Sequence, residues 1–395
     1  MEPIGESMKA VLRTLYHSLS SYGLSCVLFL LLFVLTLLGT LEQINLGIFD
    51  VQKKYFASFF LIHELFGVIP IPLPGAYLVM ALLAVNLTLG GIVRARKRPA
   101  QWGILIGHAG ILLLLAGAAV QYNYSVSGNL TLYEGEQSNE FESYYEWELA
   151  VADASGRGPY TEYLIPGSRF MDIGSGGTRT FNHAALPFDI VLEGVYRNCI
   201  PRPAGQAGQA AGRRVDGFTL VGMTLEKQAE RNAAGAYVRI QPKNGEAIEA
   251  ILWGYSPFPL TVELDGKLWT FDLRKKRFQM PFTVALDTFT HEMHPGTQMP
   301  KKFESGVRKI ENGIEQAVTI SMNAPLRHRG YTLYQASWGP PDAKPGQRLF
   351  SVFAVVNSPA DQWPLYATIV ITAGLAVHFV RKLVVYLREQ SKGGA

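Results

Sequence analysis

Cysteine is nearly missing: 395 residues hold two, Cys26 and Cys199. Neither belongs to a CxxC, which argues against a thiol oxidoreductase or a covalent c-type haem site. No GxxxxGK[ST] stretch is present, so the P-loop route to nucleotide binding is closed. The six tryptophans, Trp102, Trp147, Trp253, Trp269, Trp338 and Trp363, stand singly, and no internal repeat is found. Charge is sparse as well, at 17% against 48% hydrophobic residues. The net charge of +4 comes largely from basic clusters beside apolar runs, so it gives little support to nucleic-acid binding.

What is abundant is length of apolar run. A helix needs about 20 such residues to cross roughly 30 Å of hydrocarbon, and four runs qualify: 22–41, 75–93, 102–120 and 364–387. Lys9 and Arg13 precede the first, Arg94, Arg96, Lys97 and Arg98 lie between the second and third, and Arg381, Lys382 and Arg388 follow or end the fourth. Placing all three clusters in the cytoplasm gives both termini inside. The expected order is a cytoplasmic N-terminus (1–21), first span (22–41), outer loop (42–74), second span (75–93), basic loop (94–101), third span (102–120), outer domain (121–363), fourth span (364–387) and cytoplasmic tail (388–395). The first run is read as a retained span, because no small-residue cleavage pattern follows Thr40. Cys26 and Cys199 then fall on opposite sides of the membrane and do not pair, leaving Cys26 as small filler and Cys199 as a buried free thiol.

The outer domain reads as β structure. Apolar and polar residues alternate in "LTLYE" (130–134), "FDIVLEGV" (188–195), "AYVRI" (236–240), "FTVALDTF" (282–289), "QAVTISM" (316–322), "YTLYQ" (331–335) and "RLFSVFAVV" (348–356). The fold class expected is therefore a polytopic α-helical membrane protein with a sandwich or barrel-like all-β domain between its third and fourth helices. The stretch "PRPAGQAGQAAGRRVDG" (201–217) is too rich in small residues to pack a core and reads as a mobile loop. In the outer loop, Tyr55, Phe56, Phe59, Ile62 and Phe66 fall at helical spacing. That predicts an interfacial amphipathic helix ended by Pro70, Pro72 and Pro74, with His63 riding on it as a polar residue without a required function.

One residue does not suit its run. His108 lies six residues inside the third span, about 9 Å deep, amid Gly103, Gly107, Ala109 and Gly110. An ionisable side chain there usually faces a partner, a cavity or a cofactor. The small residues let a helix or a planar ligand approach the backbone. A neutral imidazole in that place suits haem iron; the alternative is a histidine hydrogen-bonded to a neighbouring helix.

Four spans in this order, "GILIGHAGILLLLAG" (103–117), "GNLTLYEGE" (128–136), "SMNAPLRHRGYTLYQASW" (321–338) and "NSPADQWPLY" (357–366) together resemble ResB, also called CcsB, of the system II cytochrome c biogenesis machinery. The resemblance implies a subunit of the bacterial cytoplasmic membrane, with its large domain periplasmic, that handles haem b transiently. It implies a CcsA/ResC-type haem-handling membrane protein and apocytochromes c as partners, and a thiol-reducing protein as a further one. It also implies that His108 is an axial ligand paired with a histidine of the CcsA half. The tryptophan-rich haem signature of that half has no counterpart here, so the chain is not the fused synthase and supplies no visible covalent chemistry alone. In the motif near the end of the outer domain, Asn323, Pro325, Arg327, Arg329, Tyr334 and Gln335 are the implied contacts to substrate or partner.

Other histidines carry rival readings. His378 lies near the basic end of the fourth span, so one chain would offer two ligands, His108 and His378, if the helices are neighbours; that is a stand-alone b-type membrane cytochrome. A third possibility is a cofactor-free, membrane-anchored β scaffold for apocytochromes. "HEMH" (291–294) is not HExxH and reads as a solvated loop pair, His291 and His294. His328 reads as turn-structuring or partner-contacting, His183 as ordinary loop chemistry and His17 as interfacial.

Overall fold

A computed structural model of the chain describes every residue except 1, 2, 66, 157, 159, 207–212, 297–299, 341, 343, 345, 394 and 395. The described residues divide into two units, one made of residues 1–125 with 357–395 and the other of 126–356.

The first unit holds four helices long and apolar enough to cross a membrane: Tyr22–Glu42, Ala76–Val93, Pro99–Tyr124 and Trp363–Ser391. The first, third and fourth outrun their purely apolar stretches, because backbone hydrogen bonding continues through polar ends such as Gln121 to Tyr124, while the second stops within its stretch. Before the first of them, Pro3–Leu19 forms a further helix whose apolar Met8, Val11, Leu12 and Leu15 are exposed. Their spacing of three and four makes one apolar stripe, which composition alone did not separate from an unstructured N-terminus. Ser21 caps the first spanning helix by accepting from Leu24 N at 3.2 Å. Asn86 ties the break between the two helices, donating to Leu19 O at 2.7 Å and Ser21 O at 3.0 Å and accepting from Ser25 Oγ at 2.6 Å.

The third and fourth spanning helices pack through glycine. A Cβ on Gly103 would lie 2.6 Å from Gly374 O, one on Gly110 2.6 Å from Ile371 Cγ1, and one on Gly117 3.0 Å from Trp363 Cβ. The flat face foreseen around His108 is thus filled by a helix, the small residues letting backbones touch where the hydrophobic effect offers no drive.

The outer loop departs from expectation. Ile48–Val51 and Gln52–Phe56 are helical, but Phe60–Leu65 and Ile69–Pro74 form an antiparallel hairpin rather than a surface helix. Phe66, counted in the helical stripe, lies outside the described residues. The prolines decide it: Pro70, Pro72 and Pro74 recur every second residue, so their missing N–H groups all fall on one side of the strand, compatible with an edge but not with a helix interior.

The second unit is all β. Its largest sheet runs in the order Ile314–Ser321, Pro300–Glu311, Lys267–Met293, Gln137–Asp153, Val126–Tyr133, Phe350–Asn357, Tyr331–Gly339, Leu326–His328. The two ends of that path are joined by a short turn, so the sheet curls nearly closed. A four-stranded sheet, Ile248–Trp253, Gly235–Pro242, Phe188–Tyr196 and Thr178–Phe181, packs on part of it. The long strands 137–153 and 267–293 serve two cores. Trp147, Leu149, Val151, Phe271 and Leu273 join one with Phe188 and Ile240, while Phe141, Phe282, Val284 and Leu286 join the other with Leu333 and Phe353. The register between these strands shifts at Lys275/Arg277 and again at Gln279/Val284, where the pair passes from one core to the other. Of the small-residue loop, 199–203 and 218–222 pair as a hairpin, and 207–212 lie outside the described residues.

Candidate functional site

His108 is placed by the way the second spanning helix ends. Its final segment, Leu87–Val93, is π-helical, with Arg94 N bonding Leu89 O at 2.9 Å, and Gly91 sits in the last turn. A carbonyl there has no later helical N–H to bond. His108 Nδ1 lies 3.0 Å from Gly91 O. A carbonyl only accepts, so Nδ1 carries the hydrogen, and in the neutral ring Nε2 keeps its lone pair. Glycine is needed for the approach, since a Cβ at Gly91 would lie 2.7 Å from Nδ1.

Beside the ring is a cleft of about 370 Å³, walled by Phe29, Leu87, Ile111 and Leu115 with Ser25 and Asn86. A second, more apolar hollow of about 530 Å³ shares Met80 and Leu115 with it and continues to Tyr77, Ala119 and Tyr122. Met80 is no opposite ligand to His108: eleven residues separate it from Gly91, about 16 Å of helix.

The donor set fits haem better than a bare ion. Among the described residues no group of three His, Cys, Asp or Glu side chains converges. A porphyrin brings four nitrogens and asks the protein only for axial ligands and apolar contact. An imidazole whose other nitrogen is fixed by a backbone carbonyl is the usual ligating arrangement.

His378 does not join this site. Its backbone faces Gly103, where a Cβ would lie 2.6 Å from His378 N. At 100° per residue, His108 leaves the third helix about 140° around its axis from Gly103. The helices are neighbours, as the b-type reading requires, but His108 leaves the third helix well away from the face that meets the His378 backbone. His378 does not line the His108 cleft.

A second cluster lies at the other end of the first spanning helix, unnoticed in the sequence because its members are 21 residues apart. Glu42 accepts from Lys54 Nζ at 2.6 Å and from the Tyr55 hydroxyl, and His63 Nδ1 is 2.6 Å from that hydroxyl. Only the hairpin brings His63 there.

In the β unit the late motif is largely architectural. Arg329 and Gly330 both have positive φ, 48° and 81°, and form the two-residue turn between Leu326–His328 and Tyr331–Gly339. Gln335 accepts from Ser305 Oγ at 2.6 Å and donates to Ser351 Oγ at 2.8 Å. Arg327 donates to Thr332 Oγ1 at 3.1 Å and to the Tyr334 hydroxyl at 3.5 Å. Asn323 is exposed in the turn linking Ser321 to Ala324, and Pro325 follows it, half-buried. His328 Nε2 is 2.7 Å from Glu311, whose other oxygen meets Arg329 at 2.6 Å. The His328 and Arg329 donors pull the Glu311 carboxyl below its ordinary value.

The "HEMH" pair is corrected in part. His291 is in a strand opposite Phe303, its ring 4.3 Å from that of Trp338, rather than in a solvated loop. Phe303 on the paired strand and Trp338 on the strand Tyr331–Gly339 hold it. Cys26 is exposed and Cys199 buried, both free. Burial pushes the Cys199 thiol up to about 12, which makes it inert.

Residues 265–347 match the ResB-like family. Two proteins named cytochrome c biogenesis protein CcsB are similar in part: one from Synechococcus sp. (strain CC9902), 36% identical over 69 residues, and one from Prochlorococcus marinus (strain NATL2A), 39% identical over 70 residues. Each alignment covers 18% of this chain and 16% of the relative. The matched segment 265–347, carried in a chain with four membrane-length helices and one large all-β domain, is thus similar to the ResB-like family, and the chain aligns with only about a sixth of the length of the CcsB proteins it matches.

Proposed function

We propose that the protein is a membrane subunit of a system II cytochrome c maturation complex and that His108 Nε2 gives haem one axial ligand. The observation that carries this is the bond from His108 Nδ1 to Gly91 O, which fixes the ring and leaves Nε2 free beside an apolar cleft. Haem bound there would have its iron presented for redox control and onward transfer.

This chain's residues do four things. Gly91 O holds the proton on Nδ1. His108 would hold haem iron. Phe29, Leu87, Ile111 and Leu115 would give the porphyrin apolar contact, and the furrow continuing past Met80 and Leu115 offers an apolar way along the second and third helices. A CcsA-type partner would complete the site, since His378 does not line the cleft. With the basic clusters in the cytoplasm, His108 lies toward the cytoplasmic leaflet and the β domain is periplasmic, where it meets apocytochromes c. Thioether formation rests on the apocytochrome's own thiolates, with the complex supplying orientation.

The test is cytochrome c yield in a host lacking its own maturation system, with the chain co-expressed with a CcsA-type partner. His108→Ala is expected to reduce holocytochrome at least tenfold at unchanged protein level. Unchanged yield would overturn the assignment.

A further inference from the structure

Two strands of the β unit end their sheets with nothing beside them. Among the described residues Glu162–Pro166 pairs only with 148–152 and Thr178–Phe181 only with 190–193, so the outward N–H and C=O groups of each have no backbone partner. The strands belong to different sheets, and the chain crosses from one to the other through 167–177. A single cavity of about 360 Å³ lies between them, walled by Tyr163, Leu164 and Ile165 from one edge and by Thr180 and Phe181 from the other. Val151 and Ile190 back it, as the cross-strand partners of Tyr163 and Phe181. Both edges and the core behind them therefore face one gap.

An unpaired edge is a template for a further strand, and folds usually blunt it with charge, proline or a covering loop. Here the only proline of either strand is the terminal Pro166, and Leu164 in the middle is 52% exposed. Charge gives the gap a preference. Arg169 lines it, with its guanidinium 5.6 Å from the centroid of the Phe181 ring, and makes no ion pair among the described residues. The neighbouring Arg179 is taken by Asp172 at 2.8 Å, and the one carboxylate on the gap, Glu162, is taken by Arg274. His183 adds a donor: its Nδ1 accepts from Ala185 N at 3.2 Å, so in the neutral ring Nε2 carries the hydrogen. Past Tyr163 and Leu186 the gap opens into a trough of about 1100 Å³, where Lys243 and Lys267 are matched in number by Asp153 and Asp265. The excess positive charge is local to Arg169.

We propose that the gap between Glu162–Pro166 and Thr178–Phe181 takes an extended, acidic peptide segment of a partner protein, which adds a strand between the two edges and sets a carboxylate against Arg169. Main-chain hydrogen bonds to the edges supply the affinity, the apolar walls take alternate side chains, and Arg169 with His183 selects the charge. The inference stands apart from the haem reading, since it uses neither His108 nor the spanning helices.

The probe is a fluorescein-labelled octapeptide with blocked ends, valine and threonine alternating between two aspartates. It is titrated into the full chain in detergent and read by fluorescence anisotropy, with hydrogen exchange of the chain followed by mass spectrometry. Saturable binding is expected, with slowed exchange in 162–166 and 178–181 and no change in the inner strand 235–242. Methylating alternate backbone nitrogens of the probe, in either register, should weaken binding at least tenfold, because an edge then meets no donor. Arg169→Gln should lower affinity about threefold for this probe and leave binding of its asparagine analogue unchanged. No saturable binding up to about 1 mM, binding indifferent to methylation, or exchange unchanged in both edge strands would overturn the inference. An equal loss for both analogues in Arg169→Gln would overturn the acidic preference.

Discussion

The two units hold several of their polar groups differently. In the β unit many are closed on each other: Arg274, 11% exposed, bonds Glu148 at 3.0 Å and also meets Glu162, His328 is taken by Glu311, and Gln335 by Ser305 and Ser351, although Arg239 Nε, Trp269 Nε1 and His291 Nε2 are buried there without a hydrogen-bond partner. In the helical unit His108 and His63 are each tied by Nδ1 alone, leaving Nε2 spare. The family match nonetheless falls wholly in the β unit. Turns, bulges and buried networks restrict sequence strongly, so that region stays recognisable, whereas fixing a ring inside an apolar helix needs little more than one histidine and one glycine. The recognisable sequence and the His108 cleft therefore sit in different units of this chain.

The comparison is broken most severely by opening the closed side. Arg274→Met leaves Glu148, 5% exposed, as an uncompensated buried carboxylate, and should cost about 3–5 kcal/mol in chemical denaturation followed by tryptophan fluorescence. The same variant has a pH signature. The hydrogen bond from Arg274 holds Glu162 below its ordinary 4.5, so the unfolded state binds the extra proton, and wild-type stability falls as pH drops below about 4.5. Without Arg274 that acid limb should be shallower; an equal slope would show that the pair contributes nothing.

A smaller effect is expected in the helical unit. Gly103→Ala puts a methyl 2.6 Å from Gly374 O and should cost about 1–3 kcal/mol, read as a lowered thermal midpoint in detergent. Gly330→Ala, at φ 81°, should cost roughly 1–2 kcal/mol through the turn, with Asn at the same position milder. His378→Ala should leave the haem spectrum unchanged, because that residue does not line the cleft; a lost Soret band would revive the one-chain cytochrome.

Much of the architecture was legible. Runs of apolar residues gave four helices, and period-two alternation located strands such as 188–195 and 236–240 that the structure contains. Strands 137–153 and 300–311 were not, because stretches such as QSNEFES (137–143) and KKFES (301–305) carry a single apolar residue among polar ones, too few to show the period. The outer hairpin was misjudged because Tyr55, Phe59 and Ile62 do share helical spacing, and only the proline period contradicts it. Of the candidate site, His108 stood out by polarity against its surroundings. Gly91, 17 residues earlier, did not, since one glycine among apolar residues signals nothing until the fold sets it against a ring. Glu42 and Tyr55 were hidden for the same reason.

The most direct measurement is the absorption spectrum of the chain purified in detergent, alone and with a CcsA-type partner, comparing wild type with His108→Gly before and after adding imidazole. The account predicts a Soret band that falls in His108→Gly and returns when imidazole fills the cavity left by the ring. A band of the same intensity and position in the variant, indifferent to imidazole, would contradict it and return His108 to helix packing.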